Sequence, residues 1–237
     1  MSNPSLHHIR AVGFDLDGTL FDHRGCADQG ILNFSAKMGW VIPVSAHEAS
    51  REWHRLEDLH WDRHERHEID FHQQRTYRMR DFMSFIGVEL QTGQDFEELF
   101  VDYLNSYQAL WRPFDDLAEL LDRLETLGFP FGILTNGRTE QQRGKLETMG
   151  ISHRFPLMVA SSDLPHAKPH ASAFNTLADA LGVTCAELLF VGDDYRKDIA
   201  GALGVGATPV WITPAEDEPA DAEVWKISRL AQVTAAL

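Results

Sequence analysis

The chain has 237 residues, 43% of them hydrophobic, and is long enough for one large domain or for a domain with a smaller insert. Its formal net charge of −15 argues against general nucleic-acid binding, because such a chain repels phosphate backbones. It has two cysteines far apart, no apolar run of the roughly 18 residues that a membrane span needs, and no apolar signal core at its start. We therefore expect a cytoplasmic protein with no membrane association.

The first predicted element is a short buried strand at residues 9–14 that runs into two carboxylates. Side chains two apart in an extended chain point to the same side, so Asp15 and Asp17 face one space. Gly18 permits a sharp turn, and the Thr19 hydroxyl is expected to tie that turn down. Two carboxylates this close repel each other and favour a hard cation such as Mg²⁺ between them, although a solvated turn is the simpler alternative.

The next part of the chain, from about residue 25 to residue 108, shows helical spacing and no convincing strand. It predicts four helices, near residues 31–38, 45–60, 71–85 and 96–104. This segment therefore reads as a compact helical insert.

Histidines and arginines of the insert allow two interpretations each. Three histidines at helical spacing could share one face and bind zinc, but a solvated amphipathic face is favoured. Three arginines are taken as salt-bridged surface residues, with substrate contacts as the alternative. The residues concerned are His60, His64, His67, Arg75, Arg78 and Arg80.

Strands and helices alternate from residue 113 onward. The pattern predicts strands at 129–134, 156–160, 188–191 and 208–212, and helices at 117–127, 141–149, 171–181 and 198–203. Such alternation is typical of a doubly wound parallel sheet, in which active groups lie at the carboxyl ends of the strands. An acidic stretch at 216–218 and 221–223 is expected to be a solvated loop.

Three of these later strands are followed by polar groups. Thr135-Asn136-Gly137 offers a hydroxyl and backbone N–H groups for phosphoryl oxygens, but it is also a good turn. Lys168, before Pro169, either projects into the same cleft or lies on the surface.

A second acidic strand end follows residues 188–191 as Gly192-Asp193-Asp194, with Asp198 at the start of a helix. Asp198 alone would be an ordinary helix cap. Burying this much negative charge at one sheet edge without a metal would be destabilising, which favours a cation site.

The order of these segments resembles the four motifs of the haloacid dehalogenase (HAD) superfamily, and the insert resembles the C1 cap of its subfamily I. The resemblance covers roughly residues 9–212. It implies an α/β, Rossmann-like core formed by residues 1–22 and 109–237, with an inserted helical cap at 23–108.

The resemblance also implies catalytic roles. Asp15 would be the nucleophile that forms an aspartyl-phosphate, and Asp17 the general acid and base. Mg²⁺ would be held by Asp15, by the Asp17 backbone carbonyl and by Asp193.

The remaining motif residues receive binding and supporting roles from the same resemblance. Thr135, the Asn136 backbone and Lys168 would hold phosphoryl oxygens. Asp198 would be a supporting acid that orients Lys168 or metal-bound water. Asp194 is a second supporting candidate, because in some members the carboxylate at the adjacent position shares the metal.

The predicted function is a Mg²⁺-dependent phosphatase of a small phosphomonoester, such as a sugar phosphate, a phosphoglycolate-like compound or a nucleotide. A phosphomutase resembling β-phosphoglucomutase keeps every motif and stays an alternative. A haloacid dehalogenase is disfavoured by Asp17 and Asp193, and a noncatalytic binding module by the competent residues at all four motifs. The expected partner is a small phosphorylated metabolite, and the chain is expected to be a monomer or homodimer.

Overall fold

A parallel β-sheet forms the framework of the larger part of the chain. The computed structural model describes residues 6–213 and 224–234. Across these residues the sheet has six strands in the order β3-β2-β1-β4-β5-β6, and every neighbouring pair is parallel. The strands are β1 (Ala11–Phe14), β2 (Phe131–Thr135), β3 (Met158–Ala160), β4 (Leu188–Gly192), β5 (Thr208–Ile212) and β6 (Trp225–Ile227). The predicted parallel α/β fold is confirmed.

Eight α-helices accompany the strands in the described ranges. They are α1 (His23–Lys37), α2 (Ala46–Glu65), α3 (Phe71–Phe85), α4 (Phe96–Gln108), α5 (Leu117–Leu127), α6 (Thr139–Thr148), α7 (Ala171–Leu181) and α8 (Ala200–Gly204). The chain divides into two compact units. The core unit comprises Met1–Asp22 and Arg112–Leu237, and the helical unit comprises His23–Trp111.

Strand β1 lies between β2 and β4 in the sheet, and most residues of the site follow these three strands. All four of its residues are buried, because it pairs with β2 on one side and with β4 on the other. Phe14 is in register with Ile133 of β2 and with Val191 of β4. Residues that follow these three strands therefore emerge at one edge of the sheet.

The helical unit has an aromatic core of its own. Its two middle helices begin with capping boxes, in which Ser45 and Asp70 accept from the backbone of the first turn. Trp53 is fully buried, and its indole Nε1 donates to the Tyr103 hydroxyl at 3.1 Å. The Trp53 and Phe82 rings meet edge to face with centroids 5.1 Å apart.

Two of the histidines and arginines predicted to lie on solvated faces of the helical unit, His60 and Arg78, are buried. The Arg78 guanidinium lies 3.9 Å from the Trp53 ring centroid and pairs with Glu57, with Nη1 to Oε1 at 2.7 Å. His60 is buried and pairs with Asp81, with Nε2 to Oδ2 at 2.8 Å. The interpretation of Arg78 as a surface residue is wrong, because its long side chain also packs on the aromatic core.

The alternative of a zinc site in this unit finds no support in the described ranges. There, the only group of three side chains with metal-ligand atoms close together is acidic and lies in the core unit. The His64 ring instead hydrogen-bonds to the Ile69 carbonyl through Nδ1 at 3.2 Å.

The last strand was not predicted. Strand β6 has only three residues, two of them half-buried, and it pairs with β5 alone. Such a short edge strand has too little apolar alternation to be recognised from sequence. The predicted acidic loop at 216–218 and 221–223 lies outside the described residues. None of the described helices combines the length and the apolar character required to cross a membrane.

Candidate active site

Asp15 lies at the carboxyl edge of the sheet. Its backbone N–H donates to the Val191 carbonyl at 2.9 Å, which extends the pairing of β1 with β4 by one residue. Gly18 follows with φ of +88°, and a Cβ there would collide with the Asp193 carboxylate. The glycine therefore lets the loop after β1 pass directly against the loop after β4.

Thr19 differs from the prediction. Its hydroxyl is buried and has no hydrogen-bond partner among the described residues, so it does not tie the turn down. The turn is closed instead by backbone contacts, in which the Leu20 N–H donates to the Leu16 carbonyl at 3.0 Å.

Lys168 lies at the centre of the site and is buried. Its Nζ donates to Asp15 Oδ1 at 2.6 Å and to Asp198 Oδ1 at 2.7 Å. The Asn136 side chain holds the Lys168 backbone from both sides, accepting from its N–H at 2.9 Å and donating to its carbonyl at 2.8 Å. Both polar atoms of the Asn136 side chain are thereby engaged with the Lys168 backbone.

A wide helical turn over Tyr195–Ile199 aims Asp198 at Lys168. The Asp194 carbonyl accepts from both Asp198 N, at 2.9 Å, and Ile199 N, at 3.3 Å, as in a π-turn. Asp198 Oδ2 also accepts from the Asp194 N–H at 3.1 Å. Because a Cβ at Gly192 would collide with Asp198, glycine is required for this approach.

Asp194 is directed elsewhere. Its carboxylate caps the turn by accepting from the Lys197 N–H at 2.8 Å. It is not part of the acidic group described next.

Asp15, Asp193 and Asp198 form the acidic group, with one oxygen of each carboxylate within 4.8 Å of the others. Burial raises the pKa of Asp15 to about 7, with Asp198 and Asp17 adding to the effect and Lys168 opposing it. Burial, followed by the charges of Asp15 and Asp198, holds the pKa of Asp193 well above its usual range. Burial alone would lower the pKa of Lys168, but its two carboxylate partners raise it.

This group suits a divalent cation. Three carboxyl groups share one ammonium group, and the raised pKa values of Asp15 and Asp193 show that ionising all three there is unfavourable without a further cation. Oxygen donors are the ligands that Mg²⁺ prefers. The predicted set was Asp15, Asp17 and Asp193. The observed group instead contains the side chain of Asp198 and not that of Asp17.

Two residues that no motif had assigned to the site contact Asp17. Gln142 Nε2 donates to Asp17 Oδ2 at 2.8 Å and to Thr135 Oγ1 at 2.6 Å. Lys145 Nζ donates to Asp17 Oδ1 at 2.5 Å. Both residues are buried in α6, where polar residues at i and i+3 take the inward positions that an amphipathic helix gives to apolar ones. That departure from the usual pattern is the signal that could have found them.

The chain belongs to the haloacid dehalogenase-like hydrolases. The family model with that description matches residues 9–206. Glyceraldehyde 3-phosphate phosphatase of Methanopyrus kandleri is 30% identical over 207 residues, which cover 86% of this chain and 84% of the relative. Phosphoglycolate phosphatase of Escherichia coli is 29% identical, with 86% and 81% covered. The predicted family is confirmed.

Solved structures show the same fold. The HAD-hydrolase YfnB of Bacillus subtilis, described as bound to magnesium, superposes with a TM-score of 0.76 at 20% identity, covering 95% of this chain and 96% of that one. A dehalogenase described with an intermediate complex also gives 0.76, at 23% identity and 97% coverage of both chains. At these identities the likeness concerns the fold alone.

Proposed function

We propose that this chain is a Mg²⁺-dependent phosphatase that hydrolyses a small phosphomonoester through an aspartyl-phosphate. The observation that carries the proposal is the buried contact of Lys168 with Asp15, beside Asp193, at one edge of the sheet. The relatives carry the names of phosphatases of glyceraldehyde 3-phosphate, ribulose 1,5-bisphosphate and phosphoglycolate, which supports a small phosphorylated metabolite as the substrate.

In the first step Asp15 acts as the nucleophile. A carboxylate oxygen attacks phosphorus, and the bond between phosphorus and the leaving oxygen breaks with its electron pair. Asp17 gives a proton to that oxygen. Lys168, the Thr135 hydroxyl and the Asn136 N–H hold the phosphoryl oxygens as charge develops on them.

In the second step water hydrolyses the aspartyl-phosphate. Asp17 takes a proton from the water as its oxygen attacks phosphorus, and the bond from phosphorus to Asp15 breaks. The products are inorganic phosphate and the regenerated Asp15 carboxylate.

The metal is proposed to be held by the carboxylates of Asp15 and Asp193 and by the Asp17 backbone carbonyl. When bound, Mg²⁺ supplies positive charge between the nucleophile and the phosphoryl group, which are both anionic. Asp198 is proposed to hold Lys168 in place rather than to bind the metal, because both of its oxygens already accept hydrogen bonds, Oδ1 from Lys168 and Oδ2 from the Asp194 N–H. The helical unit is proposed to be the cap domain of the enzyme.

The test measures phosphate release from p-nitrophenyl phosphate and from a panel of phosphorylated metabolites. We expect turnover with Mg²⁺, none with excess EDTA, and none in Asp15→Asn. The matched control is Asp115→Asn, an exposed residue of the same unit, which should keep wild-type turnover. Turnover that persists in EDTA contradicts the metal, and an active Asp15→Asn contradicts the nucleophile.

The same assay separates the alternatives. A phosphomutase would yield an isomerised sugar phosphate and little free phosphate. A haloacid dehalogenase would release halide from a 2-haloacid without Mg²⁺.

A further inference from the structure

The helix that follows the Thr135-Asn136-Gly137 segment supplies two buried polar side chains to the site. Helix α6 begins at Thr139, four residues after β2 ends. Gln142 and Lys145 are three residues apart on this helix and therefore share a face. Their exposed fractions are 1% and 4%, whereas their neighbours Gln141 and Arg143 are exposed.

Both carboxylate oxygens of Asp17 receive a donor from this face. Gln142 Nε2 reaches Oδ2 at 2.8 Å, and Lys145 Nζ reaches Oδ1 at 2.5 Å. Turning the Asp17 carboxylate about its Cβ–Cγ bond would break both contacts. The pair therefore fixes the direction in which Asp17 presents its oxygens.

The orientation of the Gln142 amide follows from its partners. When Asp17 is ionised, as it is when it takes a proton from water, its carboxylate only accepts hydrogen bonds, so the Gln142 NH₂ group faces it. The same NH₂ group donates to Thr135 Oγ1 at 2.6 Å. Because the hydroxyl accepts this bond, its own proton is left to be donated to a phosphoryl oxygen.

Two further observations concern how the Gln142 side chain is accommodated in the fold. Its Oε1 is buried without a hydrogen-bond partner among the described residues, so stability alone does not explain a glutamine there. A Cβ at Gly137 would lie 2.5 Å from Gln142 Cδ. Glycine at this position therefore makes the room that the Gln142 amide occupies.

We infer that Gln142 and Lys145 are positioning residues that hold Asp17 for proton transfer, an inference that rests on the proposed function. Hydrolysis of the aspartyl-phosphate is the step that should slow most when either residue is replaced. There the water oxygen attacks phosphorus, a water proton passes to Asp17, and the bond to Asp15 breaks with its electron pair returning to the Asp15 carboxylate. An aryl leaving group departs without a proton, so formation of the intermediate from an aryl phosphate depends little on Asp17.

The experiment uses p-nitrophenyl phosphate with Mg²⁺ and the variant Lys145→Met, since Lys145 donates to Asp17, whereas Gln142 is the residue that donates to both Asp17 and Thr135. We expect kcat to fall at least tenfold, while kcat/KM stays within about threefold of the wild type because it reports formation of the intermediate. Rapid mixing should show a burst of nitrophenolate of about one equivalent per chain, because breakdown of the intermediate has become slow.

Control variants separate positioning from a general disturbance. Arg143→Met, which removes an exposed cation from the same helix, should leave both constants unchanged. Lys145→Arg should recover part of kcat. In an Asp17→Asn background, Lys145→Met should change kcat by less than twofold, because the residue acts through Asp17.

Gln142 requires a separate comparison. Gln142→Leu should lower both kcat and kcat/KM, because Gln142 serves Thr135 as well as Asp17. The exposed neighbour supplies the matched control Gln141→Leu, which should lower neither.

The outcomes are distinguishable from failure of the proposed function. If the wild type releases no phosphate from any phosphomonoester, the proposed function fails. If the wild type is active and Lys145→Met matches Arg143→Met, the positioning role is overturned. Equal losses of kcat and kcat/KM in Lys145→Met, without a burst, also overturn the positioning role. If Lys145→Met does not fold, the same kinetic comparison is made with Lys145→Arg and with the double variant that also carries Asp17→Asn.

Discussion

Replacing the buried Asp15 carboxylate by a neutral group should stabilise the metal-free protein while destroying turnover. Burial raises the pKa of Asp15 to about 7 from a usual value of 3.8. Below pH 3.8 the folded and unfolded chains both carry the proton. Between pH 3.8 and about 7 the unfolded chain has released it and the folded chain has not, so stability falls as the pH rises through this window.

The size of the effect follows from the shift. Three pH units at about 1.4 kcal/mol each give about 4 kcal/mol as the cost of ionised Asp15 above pH 7. At pH 5 the corresponding cost is about 1–2 kcal/mol. Asparagine has nearly the same shape and keeps an oxygen for Lys168, so Asp15→Asn should remove most of this cost.

The assay is urea unfolding in EDTA at several pH values from 5 to 8. The advantage of Asp15→Asn over the wild type should grow from about 1–2 to about 4 kcal/mol across this range. Mg²⁺ should then stabilise the wild type more than the variant, because it neutralises the charge that the variant lacks. The control Asp115→Asn should show no such pH dependence.

One result would refute this reasoning. If Asp15→Asn is less stable than the wild type at pH 8 in EDTA, the attraction of Lys168 outweighs the cost of burial. The acidic group would then need no cation to be stable.

Two further variants test the geometry of the site. Gly18→Ala places a Cβ against the Asp193 carboxylate at a residue whose φ is in the left-handed region. The variant should lose about 1–2 kcal/mol of folding free energy and need at least about tenfold more Mg²⁺ for half-maximal activity. An unchanged Mg²⁺ titration contradicts the close approach of Gly18 to Asp193. Lys168→Met leaves Asp15 and Asp198 without their shared ammonium, so urea unfolding at pH 8 should show a loss of about 3–5 kcal/mol. A loss below about 1 kcal/mol would mean that the ion pairs contribute little in the folded protein.

The polar residues at the strand ends of the core unit could be predicted from the sequence, because the pattern that marks them spans only a few neighbouring residues. An apolar run followed by Asp15, by Thr135 or by Asp193 is visible within a few residues. Parallel pairing then places the carboxyl ends at one edge whatever the intervening chain does. The predicted strands lie within about two residues of those observed.

Contacts between distant segments were not accessible in this way. Gln142 and Lys145 lie 125 and 128 residues from Asp17, and only the packing of α6 against the sheet edge brings them together. The Asn136 side chain reads as part of a turn, yet it holds the Lys168 backbone 32 residues away. Arg78 reads as a surface residue because charge alone does not reveal that its guanidinium lies over the Trp53 ring.

The sequence by itself therefore determined the family, the order of the strands' polar ends and the carboxylates available to a cation. These follow from periodicity and from residues adjacent in the chain. Only the tertiary structure decided which carboxylates group together, which one pairs with Lys168 and which donors hold Asp17. These contacts depend on where side chains from segments far apart in the chain meet in space, and the spacing of residues along the sequence does not give the distances between them.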